Sequence, residues 1–161
     1  MDDLSQLARD TARVVQASHS MLVTAESCTG GWIAKVLTDL PGSSAWFEGG
    51  VVAYSYEAKE ALLGVQPQTL EQHGAVSQET VTEMVSGALA RFGAGVAVAV
   101  TGIAGPGGGT GEKPVGTVWL GWKRRGGYAH TALCHFEGDR EAVRRQTVAR
   151  ALRGIGKILT D

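Results

Sequence analysis

Ser27, Cys28 and Thr29 place a hydroxyl, a thiol and a second hydroxyl in consecutive positions, followed at once by Gly30 and Gly31. Serine and cysteine attack carbonyl carbons once a base has taken their proton. The segment Glu26-Ser27-Cys28-Thr29-Gly30-Gly31 joins a strand-like apolar run to a helix-like one. That puts the hydroxyl beyond a sheet edge, where open α/β folds build their sites. The N–H groups of Thr29, Gly30 and Gly31 then fall at a helix start without intrahelical partners and suit an oxyanion or a phosphate. Read more plainly, Ser27 or Thr29 is an N-cap. Cys28 is a competing nucleophile, because a thiol at a helix start can carry a lowered pKa.

A second glycine-rich turn runs from Thr101 and Gly102 through Gly105, Gly107 and Gly108 to Gly111. It is longer than a simple connection needs, and such loops tend to be functional. No Gly-Lys-Ser/Thr follows, so it is not a Walker A loop, and Thr110 falls where a G-x-G-x-x-G pattern needs its last glycine. Lys59 is a candidate base for a serine if burial disfavours its charged form, and Tyr54 a candidate to orient it or to steady an oxyanion. By spacing alone Lys59 is one surface lysine among several. His19, His73, His130 and His135 are dispersed without metal-ligand spacing, and no metal is expected.

The elements that must position these residues follow from periodicity. Leu4 to Val15 recurs at helical spacing behind Asp2-Asp3, Met21 to Ala25 reads as a buried strand, and Trp32 to Leu40 as a helix ended by Pro41-Gly42. Gly49-Gly50 opens a β-branched run, Val51 to Tyr54, followed by a short helix around Ala58 to Leu63. Ser77 is placed to cap a helix reaching Phe92. The apolar run Gly95 to Val100 reads as a strand covered on both faces. Thr117 to Trp122 and Tyr128 to Phe136 pair as a hairpin across Gly126-Gly127, with Lys123-Arg124-Arg125 as its solvated end. Asp139 caps a last helix to Leu159. This order predicts one three-layer α/β/α domain with a mixed sheet over residues 1–161.

Composition narrows the function class. The chain has 161 residues, 43% hydrophobic and 19% charged, with a net charge of −1 and scattered Lys and Arg, which gives no basic footprint for nucleic acid. Two distant cysteines and no long apolar leader lead us to expect a reducing, cytoplasmic setting with no membrane span. Glycine, at 23 residues, is about twice its usual ~7% share and is clustered, which marks sharp turns and close backbone approach.

Thr24-Ala25-Glu26-Ser27-Cys28-Thr29-Gly30-Gly31, Gly49-Gly50-Val51-Val52-Ala53-Tyr54, His73 to Ser77, Thr101 to Gly108 and Lys113 to Val118, in this order, closely resemble the CinA C-terminal domain family from about Leu4 to Leu159. The resemblance implies an α/β/α amidohydrolase that deamidates nicotinamide mononucleotide to nicotinic acid mononucleotide and ammonia in pyridine-nucleotide salvage, without metal or other cofactor. It matches the family's serine to Ser27, which it favours over Cys28, and its tyrosine and lysine to Tyr54 and Lys59. Backbone N–H groups at Thr29 to Gly31 or at Gly102 would then hold an oxyanion. The Gly105 to Gly111 loop and Arg140 are candidates for the substrate phosphate, although Arg140 reads equally as an ion-pair member. Family relatives often carry a further N-terminal molybdopterin-binding-like domain with pyrophosphatase activity; residues 1–161 are expected to lack such a domain, and that activity is not expected of them. The resemblance also suggests a homodimer, with core packing an equal account of the several tryptophans. Two further readings stay open: a catalytically silent nucleotide-binding or regulatory domain linked to competence or damage responses, and an amidase for free nicotinamide or a nucleoside.

Overall fold

The computed structural model describes residues 3–161, so Asp2 of the acidic start lies outside the described residues. Eleven elements follow one another: α1 (Leu4–Ala17), β1 (Leu22–Glu26), α2 (Trp32–Thr38), β2 (Phe47–Val52), α3 (Tyr56–Leu63), α4 (Pro67–His73), α5 (Gln78–Arg91), β3 (Val96–Gly102), β4 (Thr117–Arg124), β5 (His130–His135) and α6 (Arg140–Thr160), with a 3₁₀ turn at Ser43–Ala45. The sheet order is β2-β1-β3-β4-β5. β1 pairs parallel with both β2 and β3, whereas β4 and β5 add antiparallel strands. The expected mixed sheet and three layers are both present.

One face of the sheet packs on α1, α2 and α6 and the other on α3, α4 and α5. β3 shows why a strand between two layers reads as continuously apolar. Val96, Val98 and Val100 enter the first layer, while the smaller Ala97 and Ala99 face the second, where α5 comes close. Its approach to α3 depends on Gly87, where a Cβ would lie 1.7 Å from the Leu63 carbonyl oxygen. Burying each Val, Leu or Ile side chain contributes about 1.5–3 kcal/mol, and these two clusters hold the layers on the sheet.

Side-chain caps set several helix starts. Asp3, Ser55, Ser77 and Asp139 accept from the N–H groups of Gln6, Ala58, Thr80 and Ala142.

Five local readings change. Gly49 and Gly50 lie inside β2 rather than opening it, because a Cβ at Gly50 would come 2.5 Å from Thr24 Oγ1 and 3.4 Å from Ala34. Tyr54 consequently sits in the loop after β2 rather than in the strand. α2 stops at Thr38, two residues before Leu40, and α4 has no counterpart in the sequence reading, since only Leu70 of its side chains is buried and no apolar stripe marks it. Arg125 is not simply a solvated hairpin residue: it donates to the carbonyls of Leu89, Phe92 and Ala94, closing the end of α5.

Strand order positions the site. Chain connections leave β1 toward β2 on one side, and β3 returns on the other, which makes the carboxyl ends of β1 and β3 the switch point of the sheet. Ser27 follows β1 there and Thr101-Gly102 end β3. No helix among the described residues is long and apolar enough to cross a membrane.

Candidate active site

Backbone bonds carry the sheet pattern one residue past β1. Ser27 N–H donates to Val100 O at 3.1 Å, and Ala53 N–H to Glu26 O at 2.9 Å. These bonds bring Ser27 beside the Ala53-Tyr54 segment and the end of β3. α3 then starts at once, capped by Ser55, and its inward face carries Lys59 over the sheet edge.

Lys59 is 1% exposed, a rare state for a lysine, and its amine is fully engaged. Nζ lies 2.9 Å from Ser27 Oγ, 3.1 Å from Ala53 O and 2.9 Å from Tyr54 O. Burial holds its pKa below the ordinary lysine range, opposed in smaller part by Cys28. The two carbonyls take two amine hydrogens. In the neutral amine the remaining tetrahedral position is a lone pair directed at the Ser27 hydroxyl. A buried serine hydroxyl within hydrogen-bond distance of a buried amine whose pKa is lowered is an arrangement able to pair a nucleophile with a base.

Cys28 does not share that environment. It is buried in the core cluster of α1, α2 and α6, and burial, its largest influence, pushes its thiol up to about 12. A thiol in that state is inert at neutral pH.

The turn that carries Ser27 is built by a residue that sequence reasoning passed over. Glu26 is buried, and its carboxylate accepts from Thr29 Oγ1 at 2.6 Å, Ile33 N–H at 2.9 Å and Ala34 N–H at 3.0 Å. Glu26 therefore supplies the acceptor for the start of α2 that Ser27 or Thr29 was considered for. The N-cap position itself is Gly31, which has no side chain to offer. A carboxylate at a strand end just before a helix was the available signal, because anions favour helix N-termini.

A cavity of about 210 Å³ opens at this point, lined by Ser27, Tyr54, Lys59, Thr101, Gly102 and Arg140, together with Cys28, Ala75, Val76 and Ala104. The chain thus brings together six of the residues singled out from sequence. Thr101 Oγ1 donates to Ala75 O at 2.9 Å. Arg140 spans the mouth, donating through Nη1 to Gly105 O at 2.7 Å and through Nη2 to Tyr54 Oη at 3.2 Å. Tyr54 is 61% exposed and touches Lys59 through its carbonyl, not its ring.

Other sequence candidates lie elsewhere. Thr29 is wholly buried on Glu26, Gly30 N–H donates to Ser27 O at 3.0 Å, and Gly31 packs toward Val52; none of the three lines the cavity. Gly105 reaches the site through its carbonyl on Arg140, whereas Gly107 and Gly108 are exposed beyond the mouth. The loop is tied down by Lys113 Nζ, which donates to His73 O at 2.7 Å. Among the described residues no three His, Cys, Asp or Glu side chains are grouped to hold a metal ion.

The chain is similar to known proteins over nearly its whole length. Residues 4–159 match the CinA C-terminal domain. The chain is 53% identical over 150 residues to the nicotinamide-nucleotide amidohydrolase PncC of Escherichia coli strain K12, an alignment covering 93% of this chain and 91% of that protein. It is 51% identical, over the full length of both, to the protein of the same name from Pseudomonas putida. Among solved structures, the competence/damage inducible protein CihA of Agrobacterium tumefaciens superposes with a TM-score of 0.95 at 44% identity, covering 100% of this chain and 98% of that one. The chain belongs to the CinA C-terminal domain family.

Proposed function

We infer that this chain is an amidohydrolase that deamidates nicotinamide mononucleotide to nicotinic acid mononucleotide and ammonia. The observation that carries the reading is Lys59 Nζ at 2.9 Å from Ser27 Oγ, buried and held by two further carbonyl oxygens. The names of the PncC relatives support the substrate.

Ser27 Oγ attacks the carboxamide carbon while the neutral Lys59 amine takes the hydroxyl proton. A tetrahedral oxyanion forms in the cavity beside Ser27, where hydrogen-bond donors stabilise its charge. It collapses as the Lys59 ammonium returns that proton to the departing NH2, which leaves as ammonia. Water then attacks the resulting ester, Lys59 again accepting a proton, and Ser27 is regenerated with release of the carboxylate product. Neutral Lys59 suits this substrate for a second reason. The ring nitrogen of nicotinamide mononucleotide carries a positive charge, which an ammonium beside the carboxamide would oppose.

Arg140, lining the cavity mouth, is our candidate for the 5′-phosphate, since a guanidinium can donate two parallel bonds to one. Its present partners, Gly105 O and Tyr54 Oη, leave it uncompensated by a carboxylate among the described residues. The mouth position favours a phosphorylated nucleoside over free nicotinamide.

Release of ammonia and nicotinic acid mononucleotide from nicotinamide mononucleotide tests the reading, with Ser27→Ala and Lys59→Ala run alongside. Turnover by the parent chain that disappears in both folded variants is expected. No turnover on this nucleotide or its nucleoside overturns the reading in favour of a silent binding domain.

A further inference from the structure

Arg144 stands four residues after Arg140 on α6, behind the nucleophile turn rather than in the cavity. Nε donates to Cys28 O and Nη2 to Thr29 O, both at 3.0 Å. Its guanidinium lies 5.6 Å over the Trp32 ring, and a Cβ at Gly30 would come 3.3 Å from Nη2, so the cation is boxed in closely. Among the described residues no carboxylate pairs with it.

Peptide geometry extends this contact. In a trans peptide the carbonyl and the following N–H point in opposite directions within one plane. Thr29 C=O, gripped by Arg144, therefore shares its plane with Gly30 N–H, which donates to Ser27 O at 3.0 Å. Ser27 C=O in turn shares its plane with Cys28 N–H. A guanidinium and the amide that follows the nucleophile are thus joined through two peptide units. Each donated bond polarises the next, so the terminal N–H becomes a stronger donor. Where a strand-to-helix turn presents the nucleophile, as in α/β-hydrolases, the amide after it is one of the oxyanion donors. Cys28 lines the cavity beside Ser27.

We propose that Arg144 is the positioning residue of the oxyanion donor, holding and polarising Cys28 N–H through the Thr29–Gly30 and Ser27–Cys28 peptides. The proposal rests on the reading of Ser27 as nucleophile. A stabilised oxyanion exists only after attack, so the effect falls on kcat and not on substrate binding. A lysine cannot replace the fork, because one ammonium has no rigid pair of donors spaced for two carbonyls.

Arg144→Lys and Arg144→Ala test it through kcat and KM on nicotinamide mononucleotide, thermal unfolding, and the amide spectrum of the parent and both variants without substrate. A kcat loss of about 10- to 100-fold with KM within twofold is expected, smaller than the 10²–10³-fold for deleting a donor outright. Added guanidinium ion is expected to restore part of the Arg144→Ala rate, and the Cys28 amide proton to shift upfield in that variant. Parent-like kcat in both folded variants, a change in KM alone, or an unmoved Cys28 amide overturns the proposal. The amide measurement needs no turnover. A parent chain inactive on the nucleotide overturns the function reading, whereas the amide shift still decides the relay.

Discussion

Lys59 Nζ and Ser27 Oγ are 2.9 Å apart although 32 residues separate them, one at the end of β1 and the other on α3 in the opposite helical layer. Two carbonyls from the loop between β2 and α3 fix the amine, so the pair is held by backbone from both partners of the β1–β2 edge. The consequence for pH is direct. With burial holding the Lys59 pKa below the ordinary lysine range, kcat/KM on nicotinamide mononucleotide is expected to rise with pH as the amine loses its proton, with a midpoint below that of an ordinary lysine. A pH–rate profile measures it, and an inflexion at the ordinary lysine value would count against Lys59 as base.

The same shift makes stability depend on pH. Between the lowered folded pKa and the ordinary unfolded one, the unfolded chain binds the extra proton, so stability rises with pH across that window. Lys59→Met is expected to abolish turnover and to flatten this slope. Denaturant unfolding at a series of pH values in both proteins checks it, and an unchanged slope in the variant assigns the effect to another group.

Arg140 and Tyr54 meet at 3.2 Å across the cavity mouth. Charge-assisted bonds contribute about 1.5–3 kcal/mol, so Arg140→Ala is expected to raise KM for nicotinamide mononucleotide by about 10- to 100-fold. The corresponding nucleoside should lose far less. Equal losses on both compounds would move the phosphate away from Arg140.

Cys28 supplies a negative prediction. With its thiol pushed up to about 12 by burial, iodoacetamide at pH 8 is expected to leave activity intact. Cys28→Ala should keep kcat within about threefold and lose stability by about 1 kcal/mol from the small void. Rapid inactivation by the reagent, prevented by substrate, would return the thiol to the mechanism.

Two glycines separate packing from propensity. Gly87→Ala drives a Cβ into the Leu63 carbonyl at the end of α3 and is expected to cost about 1–3 kcal/mol, lowering kcat because α3 carries Lys59. Gly156→Ala meets nothing within 4 Å on α6 and is expected to stabilise by about 0.5–1 kcal/mol. Thermal unfolding and kcat of the two variants decide it.

Much of the architecture was legible along the chain because it is written in local periodicity. Val96 to Val100 marks a strand buried on both faces, and the recurrence at helical spacing from Val143 to Ile155 marks the buried side of α6, whatever surrounds them. α4 escaped because a helix with one buried residue leaves no stripe to read, and β2 was shifted because its glycines answer to Thr24 and Ala34 on other elements. Ser27 stood out by its turn, Tyr54 and Lys59 by likeness to a family, and Arg140 only as a candidate for the phosphate of the substrate that the likeness implies. Whether those residues meet, and in what electrostatic state, only the tertiary structure decided. Lys59 differs from any surface lysine solely through burial and three oxygens contributed by distant backbone and side chain, and desolvation is a property of the folded surroundings. Glu26 and Arg144, which build the turn around Ser27, are likewise ordinary charges in sequence. They gain their roles because the sheet order brings α2 and α6 against the end of β1, where unpaired helix-start donors and loop carbonyls need partners.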